Sequence, residues 1–178
     1  MKNIGEEYAS ALYELAEETK AEDVILSQMD EISSLLAENP GYARLLDNPT
    51  LDTSERVSMA NEAFSGVSEY LKNFIMILVE AKRFSCFNEC AKAFSRLYDL
   101  QHNILRAEAV TASPLDAKQA DAIKEKLERK TGKTVILTNT VDAGIIGGVL
   151  LKYGGEQIDR SVKSSLKAIS NVISKADV

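Results

Sequence analysis

Five glycines crowd one short window of this 178-residue chain: Gly144, Gly147, Gly148, Gly154 and Gly155. Glycine-rich turns can cradle a phosphate, but that chemistry needs the turn to lead through Lys-Ser/Thr into a helix, so that amides and an ammonium converge on the anion. Here Gly147-Gly148 runs into the apolar stretch VLLKY, with no Lys-Ser/Thr directly following the Gly pair. Tight turns and close backbone approach explain these glycines better. Asp159 stands between the end of an apolar segment and a helical pattern. It is a candidate general base and, more simply, a helix cap that accepts backbone N–H bonds. The paired carboxylates Glu6-Glu7, Glu17-Glu18 and Glu22-Asp23 sit in amphipathic patterns and need no role beyond hydration. Cys86 and Cys90 are spaced four apart, which puts both thiols on one helical face as reduced, core-lining residues. A metal site on the two thiols would need two more ligands, and His102, the only histidine, has no acidic neighbours that obviously complete one. There is no Gly-x-Ser-x-Gly and no His-Glu-x-x-His.

The elements that would carry these residues are mostly helices. Apolar spacing predicts a first helix over Ile4–Thr19, with Ile4, Tyr8, Ala11, Leu12 and Leu15 in one stripe and Ala9, Tyr13 and Ala16 in another. Together they cover roughly 200°, about twice what a surface helix with a single neighbour needs. One face must serve the helix's own domain, which leaves another for a partner. A second helix is predicted over Asp23–Glu38 and stopped by Pro40-Gly41, followed by a short turn over Tyr42–Leu46. A fourth is capped by Asp52-x-x-Glu55. A fifth, Ser68–Ala81, contains FIMILV and belongs at the centre, and a long sixth covers Phe84–Ile104.

Beyond His102 the pattern changes. Arg106–Ala112 reads as a strand, Ser113-Pro114 as the cap and first residue of a helix closed by Gly132, and Thr134–Val141 and Gly148–Tyr153 as two more strands. The segment DAGIIGG is short enough to join the last two as antiparallel neighbours. Ser161 or Asp159 is then expected to cap a final helix with Val162, Leu166, Ile169 and Ile173 on one face. The fold class is mainly α. A six-helix bundle over residues 1–105 precedes a small α/β domain with a short β-sheet over 106–178.

Composition narrows function. The chain is 45% hydrophobic and 6% aromatic, with no Trp, which suits helix packing better than an aromatic-rich β-sandwich. The net charge of -6 divides unevenly: 10 basic against 19 acidic residues through Val110, and 11 against 8 from Thr111 onward. The basic residues are scattered rather than patched, which disfavours nucleic acid. No apolar run reaches the roughly 18 residues of a membrane span, and the N-terminus has neither a signal-peptide core nor an Arg-rich transit segment. The chain reads as soluble and cytosolic, open to peripheral attachment to a membrane complex.

Three stretches, in this order, resemble the δ subunit (OSCP) family of F-type ATP synthase. Tyr8-Ala9-Ser10-Ala11-Leu12-Tyr13-Glu14-Leu15-Ala16 is similar to the family's opening Tyr-Ala-x-Ala-aromatic-x-x-Ala, with Leu12 before the aromatic Tyr13. Asn73-Phe74 through Glu80-Ala81-Lys82-Arg83-Phe84 resembles its fifth-helix segment. Gly147-Gly148 with Ile158-Asp159-x-Ser161 matches its C-terminal signature, although Arg160 stands where the family usually has Gly. If that position required a positive φ, Arg would be strained there.

The resemblance implies a peripheral-stalk (stator) subunit that resists rotation during ion-driven ATP synthesis, performs no chemistry and needs no cofactor. It implies a groove between the first and fifth helices for the N-terminal helix of an α subunit of the F1 head, carried here by Tyr8, Ala11, Leu12, Leu15, Asn73, Met76, Ile77 and Glu80. It further implies contact of the C-terminal domain with the C-terminus of stalk subunit b. The place would be the cytoplasmic side of a bacterial cell membrane, with membrane association only through the complex. Two other readings stay open: a helical adaptor for an amphipathic helix of an unrelated partner, and a small carboxylate-dependent enzyme near the C-terminal glycine turns.

Overall fold

The computed structural model describes residues 4–145 and 147–161. The chain is mainly helical with a four-stranded sheet in its C-terminal part, and it divides into two compact units, Met1–Leu100 and Gln101–Val178.

The first unit is built from α1 (Ile4–Thr19), α2 (Glu22–Glu38), α3 (Pro40–Leu46), α4 (Thr53–Ala63), α5 (Glu69–Glu80) and α6 (Phe87–Gln101), with a 3-10 turn at Phe84–Cys86. Pro40 opens α3 in the first-turn position where its missing N–H costs nothing. Cys86 lies in the 3-10 turn rather than on the long sixth helix that periodicity suggested, because Asp47 captures the turn. Its carboxylate accepts from Phe84 N at 2.7 Å and Ser85 N at 2.8 Å, so the helix proper starts at Phe87. Asp52 occupies the N-cap position of α4 with extended backbone, but its side chain makes no capping bond.

One apolar core runs through all six helices. Leu12, Ile25, Met29, Ile75, Leu78 and Phe94 are among its buried residues. Aromatic rings pack edge-on within it, Tyr13 against Phe94 at 5.2 Å and Tyr42 against Phe64 at 6.2 Å.

The second unit holds β1 (Ile104–Thr111), α7 (Ala117–Thr131), β2 (Thr134–Val141), β3 (Gly148–Tyr153) and β4 (Glu156–Ser161), with the strands in the order β2-β1-β3-β4. β1 pairs parallel to β2 and antiparallel to β3. α7 packs Leu127 and Ile123 on one face of the sheet, against Ala107, Val135 and Tyr153.

Several expectations for this unit are corrected. β2 and β3 are not neighbours, because β1 lies between them. β1 is the strand with Ala107, Ala109, Val110 and Thr111 buried, so both its edges must be hydrogen-bonded, whereas the exposed Thr138, Asn139 and Thr140 suit β2 to an edge. The cap of α7 is Asp116, not Ser113. Asp116 accepts from Gln119 N at 2.7 Å while Gln119 reaches back to Asp116 N at 3.2 Å, a complete capping box. Gly132 closes α7 at φ 69, as its position suggested.

Asp159 and Ser161 both lie within β4, a strand that the apolar pattern does not mark, so Asp159 is a strand residue paired with Leu150 and no helix cap. β3 and β4 are joined by Gly154-Gly155, with φ 54 and 83, a two-residue turn that only residues tolerating left-handed backbone can make. Arg160 lies in the same strand, opposite Val149, where extended backbone suits any residue. The expected final helix with Val162, Leu166, Ile169 and Ile173 lies outside the described residues.

Candidate functional site

α1 and α5 lie side by side, and Tyr8 touches Phe74 edge-on across the seam with ring centroids 6.3 Å apart. Each helix buries one face and leaves an apolar strip uncovered next to it. On α1, Gly5, Ala9, Leu12, Tyr13 and Ala16 are buried, while Ile4 is 43% and Leu15 39% exposed. At about 100° per residue, Ile4, Tyr8, Ala11 and Leu15 form one continuous strip. On α5 the buried set is Leu71, Phe74, Ile75, Leu78 and Val79, and the uncovered apolar residues are Tyr70 at 39% and Ile77 at 52%. Phe74, turned towards Tyr8, fixes which flank of α5 faces α1, and Tyr70 and Ile77 lie next to that flank. The result is an apolar strip on each helix beside the seam that Tyr8 and Phe74 fill.

Tyr8, Ala11 and Leu15 lie on the α1 strip and Ile77 on the α5 strip, and Asn73 and Glu80 are exposed on the side of Ile77 away from Phe74. Two predicted residues lie elsewhere. Leu12 is 4% exposed and belongs to the core of the helical unit. Met76 is half-buried on the flank of α5 turned away from α1. Ile4 and Tyr70 are the other exposed apolar residues of the two strips: Ile4 lies on the first stripe of α1 and Tyr70 precedes Ile77 at helical spacing.

The C-terminal signature residues have structural places. Gly148 opens β3 at φ 86, Gly147 precedes it, and Ile158 packs with the core under α7. Asp159 is exposed. Glu108 and Lys152, cross-strand partners on β1 and β3, form an ion pair at 3.1 Å, and Thr140 donates to the same carboxyl at 2.8 Å. The Thr140 and Lys152 hydrogen bonds hold Glu108 below the usual carboxylate range. Gly132-Lys133-Thr134 is a Gly-Lys-Thr triplet, but it ends α7 and opens β2 instead of opening a helix, and Leu127 occupies the position where a phosphate loop begins with Gly.

Cys86 and Cys90 are free thiols. Burial, then the neighbouring Cys86 and Glu89, push Cys90 up to about 12, which makes it a packing residue and not a nucleophile. Among the described residues, no three His, Cys, Asp or Glu side chains gather as a metal site would require, and no helix is long and apolar enough to cross a membrane. A further apolar cleft of about 500 Å³ opens between Ile32, Leu35, Tyr42, Leu45 and Phe64.

What the helical unit offers is therefore shaped apolar surface, and the class it defines is a protein that holds other proteins. Comparison with known sequences and structures gives that class a family. Residues 4–173 match the family model described as ATP synthase delta (OSCP) subunit. ATP synthase subunit delta of Lactobacillus gasseri is 34% identical over 169 residues, covering 94% of this chain and 93% of that protein. The subunit delta of Clostridioides difficile is 30% identical, covering 97% and 96%. A chain in the cryo-EM structure of the Toxoplasma gondii mitochondrial ATP synthase hexamer shares the fold, with TM-score 0.73 at 20% identity over 97% of this chain and 98% of that one. The chain belongs to the ATP synthase delta (OSCP) subunit family, a non-catalytic stator component of the F-type enzyme. That membership answers the enzymatic alternative.

Proposed function

We propose that the chain ties the F1 catalytic head to the membrane-anchored stalk by gripping the N-terminal helix of an α subunit in the groove between α1 and α5. The observation that carries this reading is the pair of apolar strips on neighbouring helices, Ile4, half-buried Tyr8, Ala11 and Leu15 on α1 and Tyr70 and Ile77 on α5. An amphipathic helix laid into such a groove is held by apolar anchors at i, i+3/i+4 and i+7, and can reach about -8 to -12 kcal/mol. Ala11, exposed and without a long side chain, lets the incoming backbone come close.

In this reading α1 to α6 act as a single six-helix bundle, residues 1–105 serve the head, and residues 106–178 meet the C-terminus of subunit b. Gly147, Gly148, Ile158, Asp159 and Ser161 maintain the fold of that second part. The subunit sits peripherally on the cytoplasmic side of a bacterial membrane, held there by the complex.

Titration of an α-subunit N-terminal peptide into the wild-type chain and Ala11→Asp tests the groove. A carboxylate facing the apolar stripe of the peptide is expected to weaken binding by at least about tenfold, with the circular dichroism of the protein unchanged. Equal affinities would remove the assignment.

A further inference from the structure

The two walls of this groove carry charge of one sign. Helical spacing sets Glu7, Glu14 and Glu18 in a row along the solvent side of the Ile4, Tyr8, Ala11, Leu15 strip, and Glu69 and Glu80 in a row with Asn73 along the solvent side of Tyr70 and Ile77. All five carboxylates are exposed. α1 contains no Lys or Arg at all. The single basic residue of α5, Lys72, is half-buried beyond the Glu69 and Glu80 row, away from α1, and Lys20 and Lys82 lie past the helix ends. The whole first unit leans the same way, with nine basic against eighteen acidic residues over 1–100, and one of those nine, Arg56, is wholly buried.

We infer that the groove selects a basic amphipathic helix, one whose apolar stripe is flanked on both sides by Lys or Arg. The inference rests on the reading of the α1–α5 seam as a docking groove and adds the chemistry of its occupant. A helix seated on the apolar floor holds its flanking side chains over the two carboxylate rows, within about one Debye length at physiological salt. Each exposed pair contributes little alone, but five like charges lining one groove attract a basic helix during encounter, fix its rotation about its own axis, and repel an acidic helix with the same stripe. Selectivity then lies in the flanks and is screened by salt, while the apolar contribution is not.

The test uses the full chain and three fluorescent helical peptides that share one apolar stripe and carry Lys, Gln or Glu on the flanks. Anisotropy titrations at low ionic strength are expected to show the Lys peptide binding at least about tenfold tighter than the Glu peptide, with the ratio collapsing towards unity at about 1 M salt. The double substitution Glu14→Gln with Glu80→Gln should cut that ratio several-fold. Glu31→Gln with Glu62→Gln, on α2 and α4 and in neither wall, should leave it unchanged. Equal binding of the Lys and Glu peptides overturns the inference, and so does an equal effect of the two double substitutions, which would mean diffuse attraction to an acidic protein. Ile77→Asp separates the layers. If it abolishes binding of all three peptides while the Lys and Glu peptides bind wild type equally, the groove stands and its charge selectivity falls. If it changes nothing, the docking reading itself fails, and failure of every peptide to bind wild type overturns both.

Discussion

Arg56 shows how this fold handles a charge that has no access to water. Its side chain is wholly buried, and it donates to Val79 O at 2.7 Å, to Leu46 O at 3.3 Å and to Thr53 Oγ1 at 2.9 Å. Leu46 and Val79 lie in the last turns of α3 and α5, where carbonyls carry the negative end of the helix dipole, so the guanidinium meets partial charges in place of a carboxylate. Removing it unties the C-terminal turn of α5, the helix that carries Ile77. Arg56→Ala is expected to cost about 3 kcal/mol by urea unfolding, from the cavity and the carbonyl left behind, and Arg56→Met clearly less because it keeps the volume. A wild-type midpoint for Arg56→Ala would contradict this role. Cys90 gives a prediction in pH. Its thiol is raised from 9.0 to about 12 in the folded chain, so the folded state holds that proton more tightly than the unfolded state. The associated stability is complete below about pH 9 and is lost as pH climbs towards 12. Tyr98, hydrogen-bonded to Asp23 at 2.5 Å, is raised to about 12 and shifts stability in the same direction. Unfolding curves at pH 8 and pH 11 should therefore converge for Cys90→Ala relative to wild type, and parallel losses in the two proteins would refute it.

Helix α1 owes its placement to a glycine. A Cβ added at Gly5 would stand 3.0 Å from Glu89 Cβ and 3.4 Å from Cys90 N, on α6. Gly5→Ala gains up to about 1 kcal/mol of helix propensity, but it pushes α1 from α6 at an overpacking cost of about 1–3 kcal/mol. A net loss of stability is expected, together with weaker peptide binding as the α1 wall shifts. A stabilised variant would show that the contact yields freely. The bounds of α1, β2 and β3 were legible from sequence because their apolar periods are long and their ends are marked by glycine or polar turns. The position of β1 between β2 and β3 was not, since pairing partners thirty or more residues apart leave no local trace. The cap of α7 was misread because Ser113-Pro114 and Asp116-x-x-Gln119 overlap. The structure favours the second, with Leu115 N held at 2.9 Å by Asn139 Oδ1, a strand residue far along the chain. β4 was missed because EQIDRS offers one apolar residue, Ile158, too few to display alternation. On α1, the stripe of Ile4, Tyr8, Ala11 and Leu15 is legible in the sequence as part of a wide apolar arc. That Leu12 is buried is not, because the half of that arc taken by the core depends on how the other helices pack.

At the scale of the molecule, the two units keep separate cores, one built from the six helices and the other from Ala107, Leu127, Val135 and Tyr153 with their neighbours. A connector needs this. Attachments carried by different units act in series, so the weaker one sets the load, and distortion of one core should not loosen the grip of the other. Leu78 is fully buried in the first core, and Leu127 is buried in the second. Truncating either to Ala should cost about 2–5 kcal/mol, and in units of this size each kcal/mol moves the melting temperature by about 4–8 °C. Calorimetry of the intact chain is therefore expected to resolve two transitions, with Leu78→Ala lowering one and Leu127→Ala the other. Amide exchange read segment by segment assigns each transition to its unit. Should both substitutions lower a single shared transition by the same amount, the cores are thermodynamically one. In that case a partner bound at the α1–α5 groove would stabilise β1 to β4 as much as the helices, and the two grips would not be independent.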